Sequence, residues 1–312
     1  MGGLNTVTLD DVRKAEKRLA PILLPTPMVY SHERDAWLKL ENLQLTGAYK
    51  VRGALNALLA QIERGDHRTV IAASAGNHGA GVAWAARHIG LPAIIVVPTN
   101  APRSKVDRIR RLGAKVVFMG DTFDGSLKWA RYCARQHDFR LLHAFDDPDV
   151  IAGQGTVALE LLSLQPDVVV IPIGGGGLAA GTSIVLKDAG IRTVGVQIKG
   201  VDALASYLRG GPARIRPKQT IADGLRVRES GLITRSLCEQ NLDHVMLVTE
   251  SEVQQAMQSL EETEPWSVEG AGAVSVAALK RVSGDRRVAL ITGGNRDTGS
   301  MYVQRNRVQP AK

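Results

Sequence analysis

Apolar residues in this chain alternate between two spacings. Val12, Ala15 and Leu19 recur at helical intervals behind Thr8-x-x-Asp11, a pattern that predicts a helix with a capping box. Pro21, Pro25 and Pro27 then impose an extended stretch, since each ring fixes φ and removes an N–H. Trp37, Leu38 and Leu40 predict a short strand. Val51, Leu55, Leu58, Leu59 and Ile62 share one face of a helix expected to begin at Thr46. From there the alternation becomes regular. Strands are expected over 69–73, 93–97, 115–119, 168–171, 193–196 and 287–290. Helices are expected over 78–88, 102–112 (stopped by Gly113), 124–136, 151–164 and 178–187. Strands separated by helices predict an α/β fold with mostly parallel sheets. There is no internal repeat and no Gly/Ser linker, so two domains would have to be closely packed or intertwined.

Composition narrows this picture. The 312 residues are 44% hydrophobic and 22% charged, enough for a large core. Aromatics are only 4% while Gly reaches 32 residues, so close backbone approaches are expected. The formal charge is +8, with basic clusters at Arg103, Lys105, Arg108, Arg110 and Arg111 and at Arg305 and Arg307. No aromatic-interleaved stripe or reader motif accompanies them, so nucleic acid is not expected as a partner. They read as solvated helix faces that also draw in an anionic cofactor or substrate. Two cysteines, Cys133 and Cys238, exclude a disulfide scaffold and a CxxC site. The first ten residues lack a signal pattern. The uncharged stretch 168–186 is long enough to span a bilayer but contains Pro172 and five glycines, which fits a buried strand, a loop and a helix better. A cytoplasmic protein without a membrane segment is expected.

Four segments carry candidate chemistry. Lys50, in Thr46-Gly47-Ala48-Tyr49-Lys50-Val51-Arg52-Gly53-Ala54, falls in the first turn of a predicted helix. The helix dipole and partial burial would lower its pKa toward the free amine that Schiff-base chemistry needs. Ser74, Ala75, Gly76, Asn77 and His78 form a strand-to-helix turn whose backbone N–H groups suit a carboxylate; an ordinary turn of that composition is the alternative. Gly174, Gly175, Gly176 and Gly177 leave four amides unshielded between an apolar strand and a helix, which suits a single phosphate better than a dinucleotide. Thr292 places a hydroxyl at a strand's C-terminal end, where α/β sheets bind ligands.

In that order, from about Leu23 to Asn295, the four segments resemble the fold-type II pyridoxal-phosphate enzymes and, within them, the serine/threonine dehydratase (threonine ammonia-lyase) family. Leu38-Lys39-Leu40-Glu41-Asn42-Leu43-Gln44, Ile151-Ala152-Gly153-Gln154-Gly155-Thr156 and Thr220-Ile221-Ala222-Asp223-Gly224 add to the resemblance. It implies two open, twisted, mostly parallel sheets flanked by helices, of the tryptophan-synthase-β type. A large domain of 1–41 and 139–312 would hold a small mobile domain of 42–138. It also implies that Lys50 binds pyridoxal 5′-phosphate covalently and that Gly174–Gly177 hold its phosphate. Asn77 would meet the ring's 3′-oxygen, Thr292 would face the ring nitrogen, and residues 74–78 would take the substrate carboxylate. Glu269, in Val268-Glu269-Gly270-Ala271-Gly272-Ala273, matches a late acidic motif and is expected near the cofactor.

The expected activity is dehydration and deamination of a small β-hydroxy amino acid, threonine or serine first. The alternatives are a dehydratase for another such substrate, for example 3-hydroxyaspartate or a compatible-solute catabolite, and a serine-racemase-like isomerase. A homo-oligomer, dimer or tetramer, is expected. Some positions depart from the family. Tyr49 stands where Phe is usual, and Gly79-Ala80 where Ala-Gln is common. Gln197 and Ala203 stand where a divalent-cation site would be, leaving only Asp202, so no metal is expected. The end at Lys312 leaves no regulatory domain, so feedback control of that kind is not expected.

Overall fold

The computed structural model describes residues 6–296; Arg305 and Arg307 lie outside them. In chain order the helices are α1 (Leu9–Leu19), α2 (Lys50–Glu63), α3 (Asn77–Ile89), α4 (Arg103–Arg111), α5 (Phe123–Gln136), α6 (Pro148–Leu159), α7 (Gly177–Asp188), α8 (Ala203–Leu208), α9 (Leu232–Asn241), α10 (Glu250–Thr263) and α11 (Gly270–Ala278). The strands are β1 (Met28–Ser31), β2 (Ala36–Leu40), β3 (Val70–Ala73), β4 (Ala93–Val97), β5 (Lys115–Phe118), β6 (Arg140–Leu141), β7 (Val168–Pro172), β8 (Arg192–Ile198), β9 (His244–Val248) and β10 (Arg287–Ile291).

They form two sheets. Six strands run in the order β1-β2-β10-β7-β8-β9, parallel except for the antiparallel edge pair β1–β2. Four parallel strands run β5-β4-β3-β6. The expected α/β architecture of two mostly parallel, helix-flanked sheets is the one observed. Strands β3 and β7 read as unbroken apolar runs because they are buried on both faces. Helix α1 begins with the anticipated capping box between Thr8 and Asp11, and buries Val12, Ala15 and Leu19.

Two expectations need correction. Helix α2 starts at Lys50, not Thr46. Gly47 takes φ +63°, and residues 46–49 run instead against the loop after β10, with Ala48 bridging Gly293 and Tyr49 N–H donating to the Thr292 carbonyl. Helix α6 starts at Pro148, three residues early, because Asp147 accepts N–H bonds from Asp149 and Val150; it ends at Leu159, and a short 3-10 turn covers 162–164.

Helices α2, α6 and α7 meet through the Ile151–Thr156 motif. A Cβ on Gly153 would lie 2.7 Å from the Arg52 carbonyl, and one on Gly155 2.7 Å from the Gly181 carbonyl. That motif is a packing seam that lets three backbones approach. Behind it lies a buried charge cluster. Arg52, 3% exposed at its side chain, pairs with Glu41 at 2.7 Å and Glu160 at 2.6 Å, while Lys39 reaches Glu160 and the Thr26 carbonyl. Two cations and two carboxylates balance, and removing one partner of such a cluster costs roughly 3–5 kcal/mol. The cluster fixes the first turn of α2, where Lys50 sits.

Candidate active site

A cleft of about 700 Å³ opens between the two sheets at the C-terminal ends of β3, β7 and β10. Every residue singled out from the sequence lines it: Lys50, the 74–78 turn, the four glycines, Glu269 and Thr292. Segments up to 242 residues apart in sequence (50 to 292) therefore meet at one place.

Lys50 is half-buried at the start of α2. Its amine donates to the Ala144 carbonyl at 2.8 Å and lies 5.1 Å from the centre of the Tyr49 ring. Burial without a carboxylate beside it lowers its pKa to about 8. A substantial fraction of neutral amine is thus present near physiological pH.

The loop Gly174–Gly177 joins β7 to α7. Among the described residues, none of its four amides has a protein acceptor. Gly176 takes φ +98°, turning the chain into the helix, whose N-terminus adds partial positive charge. The reason for glycine differs from the one the sequence suggested. A Cβ on Gly175 would sit 2.3 Å from the Phe145 ring and one on Gly177 3.0 Å from Phe145 Cα. The loop is pressed against Phe145, so side chains are excluded by packing behind it, and the amides stay open as a consequence.

Asn77, the first residue of α3, donates through Nδ2 to Glu269 Oε1 at 2.7 Å and accepts at Oδ1 from Asn295 Nδ2, also at 2.7 Å. Asn295 Nδ2 and Arg108 both donate to the Thr46 carbonyl. Burial, reinforced by the charge of Asp223, raises the Glu269 carboxyl to about 7, against the opposing bond from Asn77. Asn295 and Arg108 were given no role from the sequence. Only the run Gly293-Gly294-Asn295, following a buried strand, signalled the first, and nothing distinguished Arg108 from its basic neighbours.

The buried Thr292 hydroxyl donates to the Ala271 carbonyl at 3.3 Å. His78 belongs to the 74–78 turn, but its ring is buried, with Nε2 3.2 Å from the Leu142 carbonyl; burial lowers its pKa to about 3, so it is neutral. Asp223 crosses the cleft mouth to pair with Lys105 at 2.7 Å.

Gln197 is fully buried. Its Nε2 donates to the Ile173 carbonyl at 3.3 Å and its Oε1 accepts from Ala205 N–H at 2.8 Å, so an amide joins β8 to the strand end and to α8. Among the described residues no group of three or more His, Cys, Asp or Glu could hold a metal ion. No helix among them is long and apolar enough to cross a membrane.

An open amide ring, a depressed lysine and a strand-end hydroxyl on one cleft fit an aldehyde cofactor with a phosphate and a ring nitrogen. The comparisons agree. The family model described as pyridoxal-phosphate dependent enzyme matches residues 19–293. The chain is 40% identical over 305 residues to L-threonine ammonia-lyase of Thermotoga maritima, covering 93% of this chain and 76% of that protein. Among solved structures it resembles maize serine racemase (TM-score 0.90, 32% identity, 96% of each chain). It also resembles the T.th. threonine deaminase (TM-score 0.87, 35% identity, 93% of this chain and 99% of that one). On fold, site and sequence alike, the chain belongs to the pyridoxal-phosphate-dependent enzyme family, and its cofactor is pyridoxal 5′-phosphate.

Proposed function

We propose that this protein is an ammonia-lyase that converts L-threonine or L-serine to the 2-oxo acid and ammonia. One observation carries the reading: the Lys50 amine, at about 8, faces the same cleft as the open glycine amides and the 74–78 turn. The names of relatives, L-threonine ammonia-lyase and threonine deaminase, support the choice of substrate.

Lys50 holds the cofactor, and the Gly174–Gly177 amides hold its phosphate. Asn77 and Thr292, both on the cleft, would hold the polar edges of its ring. Thr292 is neutral, so unlike a carboxylate it does not hold a proton on a ring nitrogen by charge. When bound, the cofactor delocalises the electron pair released at Cα. The substrate carboxylate lies on the N–H groups of Ala75, Asn77 and His78 at the start of α3, because Ser74 N–H donates to the Val96 carbonyl and Gly76 N–H to Ser74 Oγ. With its amine free, Lys50 Nζ would take the α-proton, oriented by the Ala144 carbonyl to which it donates. The β-hydroxyl leaves as water, a water is taken up again, and ammonia departs, so threonine yields 2-oxobutanoate and ammonia.

A racemase is the second reading, favoured by the likeness to serine racemase. Racemisation needs an acid–base group on each face of Cα. Ala75, in the turn that lines the cleft with Lys50, has no titratable atom, which favours elimination. We read 42–138 as a small mobile domain, supported by the separate four-stranded sheet, three of whose strands fall within it while its edge strand β6, at 140–141, lies just beyond. A homo-oligomer is supported by the exposed leucines Leu24, Leu43 and Leu45, two of whose segments are tied by Gln44 Nε2 donating to the Leu24 carbonyl.

Lys50→Ala tests the assignment. The variant should lose the visible absorbance of bound cofactor together with turnover. Borohydride reduction of the wild type should label the peptide containing Lys50; a label on another lysine would overturn it.

A further inference from the structure

Beside the catalytic cleft lies a larger groove, about 960 Å³, that no step above uses. One wall is α5, next to the four-stranded sheet. The other is the irregular segment 211–232, which flanks the six-stranded sheet.

The groove carries an excess of cations. Lys128, Arg131 and Arg135 lie three and four residues apart on α5 and so share one helix face. Arg214 faces the groove from the opposite wall. None of these four makes a side-chain hydrogen bond or ion pair among the described residues. The acidic residues around the groove are already engaged. Asp124 pairs with Arg228 at 3.3 Å, Glu229 with Arg235 at 3.8 Å, and Asp121 accepts from the Thr99 hydroxyl at 2.8 Å. Asp146 accepts the backbone N–H groups of Leu232, Ile233 and Thr234 at 3.0–3.2 Å. Asp121 and Asp146 keep their charge, so the six cations lining the groove (Lys128, Arg131, Arg135, Arg214, Arg226 and Arg228) outnumber its four carboxylates by two, and Lys128, Arg131, Arg135 and Arg214 are the ones whose side chains are left untied among the described residues.

A second observation points to a polar ligand. Ser230, 3% exposed, also lines the groove, and its hydroxyl is buried without a partner. Buried hydroxyls are normally hydrogen-bonded.

We propose that this groove binds a small polyanion carrying two or more phosphate or carboxylate groups, held between Arg131 on α5 and Arg214 on the opposite wall. Single exposed ion pairs are weak, so a monoanion would gain little, whereas a ligand that engages both walls sums several. The wall it would touch is continuous with the glycine loop: Thr234 Oγ1 donates to the Gly175 carbonyl at 2.7 Å, and Phe145, which backs that loop, also lines the groove.

The test is calorimetric titration of the cofactor-loaded enzyme with inorganic pyrophosphate and with citrate, each against sodium chloride of equal ionic strength. The expected result is saturable binding of one probe per chain. Binding of pyrophosphate alone assigns phosphate, of citrate alone carboxylate, and of both a general polyanion site. The double variant Arg131→Gln/Arg214→Gln should weaken that binding on the order of tenfold or more, while keeping basal turnover. Absence of binding beyond the salt control, or unchanged binding in the double variant, would overturn the proposal.

Discussion

Asn77 Nδ2 donates to Glu269 Oε1 at 2.7 Å across 192 residues of sequence, joining the start of α3 to the residue before α11. The bond ties the turn after β3 to the elements around the end of β10, so the two sheets share one hydrogen-bonded floor beneath the cleft.

Glu269 makes that floor pH-sensitive. Its carboxyl is raised to about 7 in the folded protein, against about 4.3 for an ordinary glutamate. A group raised in this way favours the fold when neutral. The contribution is complete below the unfolded value near 4.3 and is lost as pH climbs through 7. Glu269→Gln keeps an oxygen to accept from Asn77 and cannot ionise. Melting temperatures between pH 5 and 8 should therefore fall more steeply for the wild type than for the variant. Parallel curves would contradict the assignment.

The glycine loop makes a distinct prediction through Phe145. Gly175→Ala would drive a Cβ into the Phe145 ring, so the loop must move and cofactor affinity should drop by about five- to 150-fold, as overpacking costs typically about 1–3 kcal/mol. Phe145→Leu in the Gly175→Ala background should recover part of that loss. Equilibrium titration with pyridoxal phosphate reads both. If glycine were needed only to keep side chains off the phosphate, the second substitution would recover nothing.

Gln197 predicts how the enzyme responds to chelation. Its amide already spans the Ile173 carbonyl and Ala205 N–H, and the one carboxylate nearby, Asp202, accepts from Gly200 N–H and pairs with Arg209. Turnover and melting temperature should be the same in EDTA and in added Mg²⁺. A gain of several degrees or several-fold in rate with Mg²⁺ would show a cation site elsewhere.

Local signals carried most of the fold into view before the structure. The Thr8/Asp11 capping box, the apolar runs of β4 and β7 and the Gly113 stop each act within a few residues. What stayed hidden acts at long range. The start of α2 is decided by the bridge from Ala48 to Gly293, so helical spacing alone placed it four residues early. The Arg52–Glu41–Glu160 cluster joins three elements whose charges look like ordinary surface residues in sequence. Edge strand β1 lies past the extended stretch of Pro21, Pro25 and Pro27 and had no signal of its own, because its pairing depends on β2. The candidate site was legible as separate motifs. Its hydrogen-bond floor was not, since Asn295 gains a role only when the end of β10 meets Asn77 and Thr46.

The central claim, elimination from a single-faced site, is tested most directly by stopping a reaction on L-threonine part-way and analysing everything in it. The account predicts 2-oxobutanoate and ammonia in equal amounts, with the recovered threonine still of its original configuration at Cα. Accumulation of the Cα epimer at a rate near that of 2-oxobutanoate release would contradict it.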